Sequence, residues 1–238
     1  MCTLVVAART VPEFPLVVVA NRDEQKDRPS SPPRRWPEGF LAPRDEVAGG
    51  TWLGWNGHGV FVGITNRFLG PRDATRRSRG ALVTEALRGA SARAIHAAMS
   101  LVAPAEYNGF HLVYADGRDV LATISDGAVL AQLTLGDGVT IVTERSFGAA
   151  SDERRVGKIR ARWRALMSTP RFDVARATKL LAEHDDVDPL GATCIHLDEL
   201  SYGTRSAMVL AVPVEGPPRV EWAEGPPCTT PFHAIPME

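Results

Sequence analysis

The first apolar residues fall in short continuous runs of strand length. Residues 4–8 and 16–20, rich in valine and separated by Thr10-Val11-Pro12-Glu13, predict two buried strands joined in a hairpin. Residues 27–43 carry Arg28-Pro29, Pro32-Pro33 and Trp36-Pro37. Proline fixes φ and removes a donor, so this stretch is expected as an ordered but irregular loop, a surface cover or a substrate lid. Ala48-Gly49-Gly50-Thr51-Trp52-Leu53-Gly54-Trp55 then runs through the turn Asn56-Gly57-His58-Gly59 into residues 60–66, the clearest hairpin signal in the chain. The period lengthens next. Residues 78–90 put Leu82, Val83, Ala86 and Leu87 on one helical face, and residues 92–102 repeat this with Ile95, Ala98, Met99 and Val102, predicting two helices on a sheet. Residues 110–114, 119–124, 128–133 and 139–143, split by Asp-Gly and Gly-Asp-Gly turns, predict a meander of antiparallel strands. Ser151 is expected to cap a third helix carrying Val156, Ile159, Trp163 and Leu166, with Asp152 and Glu153 in its first turn. Asp173 caps a fourth over residues 174–183. Residues 193–197, 207–212 and 219–222 are the last strands, and a Pro-rich tail begins at Pro226.

Helices grouped between blocks of antiparallel strands suit an α+β fold better than an alternating parallel sheet. The expected architecture is a four-layer α/β/β/α sandwich of two mainly antiparallel sheets, and a plain α+β domain is the simpler alternative. A length of 238 residues suits one domain over residues 1–238, with no repeat or linker to divide it. Charge is balanced, 27 Lys and Arg against 28 Asp and Glu, so no global field recruits nucleic acid or an anionic membrane. Two arginine-rich stretches, Arg72 to Arg79 and Arg154 to Arg164, read as solvated faces, since no aromatics interleave them as in a nucleic-acid groove. The opening apolar runs are too short for a signal-peptide core or a membrane span. The three cysteines, Cys2, Cys194 and Cys228, are odd in number and scattered, which excludes a full disulfide framework and makes the cytoplasm the expected setting. Cys194 and Cys228 read as packing residues. With six histidines but no His-x-x-x-His or Cys-x-x-Cys pair, no metal and no cofactor are expected.

Candidate chemistry concentrates at the start. Aminopeptidases commonly remove Met1 before a residue as small as Cys2, which would leave a thiol and a free α-amine on one residue. An α-amine titrates near pKa 7.7–8.0, about right to take the thiol proton and return it without a histidine. The other reading of Cys2 is a small apolar residue opening a buried strand. Arg205, in Gly203-Thr204-Arg205-Ser206 at a strand entrance, either faces a site and binds an anionic substrate or pairs with a structural carboxylate.

Several signatures stand in one order along the chain: Met1-Cys2-Thr3-Leu4, Ala20-Asn21-Arg22-Asp23-Glu24, Arg28-Pro29, Pro43-Arg44-Asp45, Gly49-Gly50-Thr51-Trp52-Leu53-Gly54, Thr65-Asn66, Ser78-Arg79-Gly80 and Tyr202-Gly203-Thr204-Arg205-Ser206. Together they resemble the NRDE family, also called the transport and Golgi organisation protein 2 family. That family is similar to the N-terminal nucleophile hydrolases of the penicillin V acylase and choloylglycine hydrolase branch, which implies the same four-layer sandwich. The resemblance implies Cys2 as nucleophile, Asp23 as the carboxylate holding the α-amine and Asn66 as an oxyanion donor. Asn21, Arg22, Trp52 and Arg205, which lie within these signatures, are the substrate-binding candidates. Two positions depart from the acylases. They open the aspartate motif with an arginine where this chain has Ala20, and Arg22, at an alternate strand position, is expected on the other side. They also place an Asn-containing segment where this chain reads Thr143-Glu144-Arg145-Ser146.

Two functions follow as expectations. One is an N-terminal cysteine amidohydrolase acting on a small amide or related acyl substrate. The other is a non-catalytic binding or trafficking protein for a small ligand, haem or acyl-CoA and lipid, on the same scaffold.

Overall fold

The valine-rich runs at the chain start form β1 (Thr3–Val11) and β2 (Phe14–Gln25), antiparallel and joined by a tight turn. The structure, a computed structural model, describes residues 2–147, 153–168 and 172–237. These divide into two compact units, residues 1–28 with 138–238, and residues 29–137.

In the first unit β2 runs five residues beyond its apolar run, into Asn21 to Gln25. It can do so because it is paired along both edges, by β1 and by β12 (Tyr202–Val212). The sheet continues outward from β1 to β10 (Gly138–Thr143) and from β12 to β13 (Arg219–Ala223) and β14 (His233–Ile235). A short β11 (His196–Leu197) also pairs with β12. One face carries Val5, Ala7, Val17, Val19, Val209 and Ala211 at strand alternation, packed with Val156, Ile159, Trp163 and Leu166 of α3 (Glu153–Met167) and with Leu180 and Leu181. Each larger side chain buried there contributes about 1.5–3 kcal/mol.

Residues 139–143 do not complete the expected meander. They form β10, which pairs with β1 from Thr3 opposite Thr143 to Ala8 opposite Gly138. Gly136 and Gly138 sit at φ +66° and +120°, a left-handed path that lets the chain leave its neighbour rather than fold back on it. Asp173 caps as expected, accepting from the Ala175 N–H at 2.9 Å, but α4 spans only Val174–Ala177 before a 3-10 turn over Thr178–Leu181. Ser151 and Asp152 lie outside the described residues. Within the strand expected over 193–197 only β11 is paired, and the Pro-rich tail contains β14.

The second unit is a sheet of consecutive strands, β3 (Ser30–Arg35), β4 (Leu41–Asp45), β5 (Leu53–Trp55), β6 (Phe61–Asn66), β7 (Phe110–Ala115), β8 (Val120–Ser125) and β9 (Leu130–Thr134). The stretch expected to be an irregular loop therefore contains two strands. Pro32 and Pro33 are tolerated because β3 is an edge strand and its register with β4 shifts between Ser31 and Arg34. Helices α1 (Gly80–Ala86) and α2 (Ala92–Met99) place Leu82, Val83, Ala86, Ile95 and Met99 against Val62, Phe110, Leu112 and Tyr114. Of the arginines before α1, Arg72 and Arg77 are exposed as expected, but Arg76 and Arg79 are part-buried and turn inward. Arg76 donates to the carbonyls of Tyr107 (2.7 Å) and Gly127 (3.1 Å), and Arg79 to that of Gly109 (2.9 Å). Among the described residues no helix is long and apolar enough to cross a membrane.

Candidate active site

Strand pairing alone brings the chain start to the aspartate motif. Thr3 stands opposite Asn21 on β2, and Asp23 stands opposite Thr204 on β12. Cys2 Sγ consequently lies 4.0 Å from the Asp23 carbonyl oxygen, which also accepts from the Tyr202 hydroxyl at 3.0 Å. The Asp23 carboxylate is buried. Its Oδ1 accepts from the Thr204 hydroxyl at 2.6 Å, while Oδ2 is buried without a hydrogen-bond partner among the described residues. Thr204 is fixed in turn, because its Oγ1 accepts from the Ile195 N–H at 2.8 Å.

Burial pushes the Asp23 carboxyl above its ordinary range, opposed by the positive charge of Arg155 and the Thr204 hydrogen bond and assisted by the negative charge of Glu144. Burial likewise pushes the Cys2 thiol up, and the Asp23 charge adds to that while Arg22 opposes it. Arg155 was expected on a solvated helix face. It is instead fully buried, donating to Thr3 Oγ1 at 3.4 Å and to the Leu190 carbonyl. A guanidinium without water needs countercharge and acceptors, and here Asp23 contributes the charge. The helix's outer basic residues do meet solvent, yet Arg154 and Lys158 both pair with the buried Asp185, whose carboxyl the Lys158 hydrogen bond and the backbone N–H groups of Asp188 and Val187 hold well below the ordinary range.

The other expected site residues fall as follows. Asn21 is buried and turns its amide to the carbonyls of Leu181 (2.9 Å) and Thr193 (2.6 Å). Arg22 is buried with its guanidinium 3.9 Å from Glu24. Ala20, Arg22 and Glu24 are alternate residues of one strand and share a face, so Arg22 is not on the opposite side from Ala20 as expected; the strand period of two requires this. Arg205 is the extra residue where the register of β12 shifts between Thr204 and Ser206, a bulge that re-aims a side chain, and its Nε is buried without a hydrogen-bond partner among the described residues. Asn66 ends β6 and is exposed, and Trp52 precedes β5 half-buried; both belong to the second unit. Sequence reasoning missed Thr204 and Arg155 as supports of Asp23. Thr204 lay within a quoted motif, whereas nothing in a run of arginines marks the one that turns inward. Against the expectation of no ligand set, one group among the described residues could hold a metal, formed by His184, Cys194, His196 and Cys228.

The profile of the Transport and Golgi organisation 2 family matches residues 1–225. Among solved structures, the Caenorhabditis elegans orthologue of N-acylethanolamine-hydrolyzing acid amidase superposes with a TM-score of 0.61 at 14% identity, covering 88% of this chain and 92% of that one. A mutant of the conjugated bile acid hydrolase from Clostridium perfringens gives 0.63 at 10% identity, covering 100% and 92%. A second variant of that hydrolase gives 0.64 at 11%, covering 99% and 92%. These likenesses show the fold, the α/β/β/α sandwich of the N-terminal nucleophile hydrolases. No curated protein matches the chain by sequence.

Proposed function

The chain belongs to the Transport and Golgi organisation 2 family, and we propose that it is an N-terminal cysteine amidohydrolase acting on a small amide or related acyl substrate once Met1 is removed. The observation that carries this reading is the placement of the Cys2 thiol beside Asp23, 4.0 Å from its carbonyl, at a sheet position where Thr204 and Arg155 support the carboxylate. Hydrolase scaffolds of the same fold, named for an acid amidase and a bile acid hydrolase, support it further.

In this mechanism the freed α-amine of Cys2 takes the thiol proton, and the thiolate adds to the substrate carbonyl carbon. The tetrahedral intermediate collapses to a thioester as the ammonium returns its proton to the leaving amine. Water then adds to the thioester with the amine as base, the acid departs and the thiol is restored. Asp23 orients the amine and stabilises it when protonated, and Thr204 aims Asp23. The thiol pushed up by burial fits the need for this step, since it is not a nucleophile until a base takes its proton.

Intact mass of the active protein should correspond to a chain beginning at Cys2. A Cys2→Ala variant should fold like the parent and lose both turnover of small amides and the thioester trapped from acyl substrates. Turnover by a chain that retains Met1, or equal turnover by both forms, would sink the proposal. Saturable haem or acyl-CoA binding without turnover in either form would favour the binding reading instead.

A further inference from the structure

The first unit gathers four soft ligand side chains that the proposed reaction does not use. His184 follows the 3-10 turn ending at Leu181, Cys194 and His196 flank Ile195 at the entry to β11, and Cys228 lies in the tail beyond β13. One ligand atom from each lies within 4.8 Å of all the others. Cys194 Sγ is 3.4 Å from Cys228 Sγ and 3.4 Å from His196 Nε2, and His196 Nε2 is 3.2 Å from Cys228 Sγ. The rings of His184 and His196 meet edge to face, with centroids 5.1 Å apart.

These separations approach the edges of a coordination tetrahedron. Zinc bonds of about 2.3 Å to sulfur and about 2.0–2.1 Å to nitrogen set ligand atoms about 3.3–3.8 Å apart. A metal-free ring of weak thiol and imidazole hydrogen bonds would account for the inner three groups. It gives no reason for His184, which is exposed and free to turn to water, to converge as the fourth. Two sulfurs and two imidazoles exclude the oxygen-seeking ions calcium and magnesium and suit zinc.

We propose that His184, Cys194, His196 and Cys228 form a tetrahedral zinc site. All four positions are filled by protein, so the site is structural rather than catalytic. On binding, each thiol gives up its proton to solvent, and the two thiolates balance the charge of the ion. The site ties together the segment after α4, the entry to β11 and the C-terminal tail. It also reaches the candidate active site through short links. Thr193, next to Cys194, accepts from Asn21 at 2.6 Å, and Ile195, between two ligands, donates to the Thr204 hydroxyl that holds Asp23. No part of the zinc proposal depends on Cys2 being a nucleophile.

The full chain, purified with reductant and added zinc, should carry one zinc per chain by elemental analysis, and this should be lost in a Cys194→Ser/Cys228→Ser variant that keeps Cys2. If that variant does not fold, the parent decides alone. Titration of chelator-treated, reduced protein with cobalt(II) should saturate at one equivalent, with a thiolate-to-cobalt charge-transfer band and the strong visible bands of a tetrahedral ion. Absence of that band would overturn the proposal, as would its persistence in the double variant. An intact mass lower by two hydrogens under the same reducing conditions, marking a Cys194–Cys228 disulfide, would overturn it too.

Discussion

Asp23 depends on one hydroxyl for its only side-chain hydrogen bond among the described residues, the 2.6 Å bond from Thr204. Thr204→Val keeps the shape and removes the donor. It should lower stability to urea by about 1–3 kcal/mol, the range for a buried acceptor left unsatisfied, while Thr204→Ser should restore most of it. Equal stability of the valine variant and the parent would show that Asp23 does not rely on this bond. Asp23 and Asp185 should act on stability with opposite signs. The Asp23 carboxyl is raised in the folded state by burial, so the folded chain holds that proton more tightly than the unfolded one. Its contribution is most favourable at low pH and declines as pH rises from about 4, the ordinary aspartate value, through the raised one. Asp185 is depressed by Lys158 and neighbouring backbone N–H groups, so its stabilisation is full above about pH 4 and is lost as pH falls through its folded value. Denaturation across pH should therefore show Asp23→Asn gaining on the parent as pH rises and Asp185→Asn falling behind it. Parallel curves for parent and variants would refute both assignments. Of these residues, the sequence marks Cys2 and Asp23 by their motifs. The inward turn of Arg155 is not legible, because burial of a charge is decided by partners distant in the chain, Thr3 and Leu190.

Elements are held in register by side chains that replace missing backbone pairing. Asn21 donates to Leu181 and Thr193, so a single amide secures the 3-10 turn after α4 and the stretch entering β11 onto the central strand. Asn21→Ala would leave two buried carbonyls without donors. A loss of about 2–4 kcal/mol is expected, with faster amide exchange over residues 178–197 as the local reading. Unchanged exchange there would mean that the two segments hold themselves. In the second unit, Gly50 is required for contact rather than for a turn. A Cβ on it would meet the Gly80 carbonyl carbon at 2.7 Å, backbone at the start of α1. Gly50→Ala should therefore cost about 1–3 kcal/mol by overpacking. Substitution at Gly57, where a Cβ would meet nothing within 4 Å, should be milder, and thermal unfolding of the two would separate them. Elements with clean alternation or a helical period were legible, including both hairpins and the positions of α1 to α3. The prolines of β3 concealed an edge strand, since they signal lost donors but not which side of the strand is unpaired. The break between α4 and its 3-10 continuation leaves no mark in the apolar pattern, because both keep Leu180 and Leu181 buried.

At the scale of the whole molecule, the chain order divides the contacts unequally. The second unit is one continuous stretch whose strands pair in sequence order, from β3 to β9. The first is assembled from both ends of the chain, with β1 against β10, where Thr3 meets Thr143, and β2 against β12, where Asp23 meets Thr204. This switch of partner at β10 is what a reading of local turns could not give. A hairpin signal reports the next strand along, and β10 follows β9 in sequence yet lies in the other sheet. Pairing distant segments requires closing a long loop before any contact rewards it, whereas hairpins close cheaply. The meander β7 to β9 should accordingly gain protection early in refolding, and the long-range pairings of β1 with β10 and of β2 with β12 later. Pulsed hydrogen exchange during refolding from urea would report this, with amides of residues 110–134 protected before those of residues 138–143 and 204–212. If β10 and β12 are protected first, the central strands nucleate despite their separation, and valine-rich β2, buried along most of its length and paired on both edges, would be the collapsing centre rather than the last seam to close.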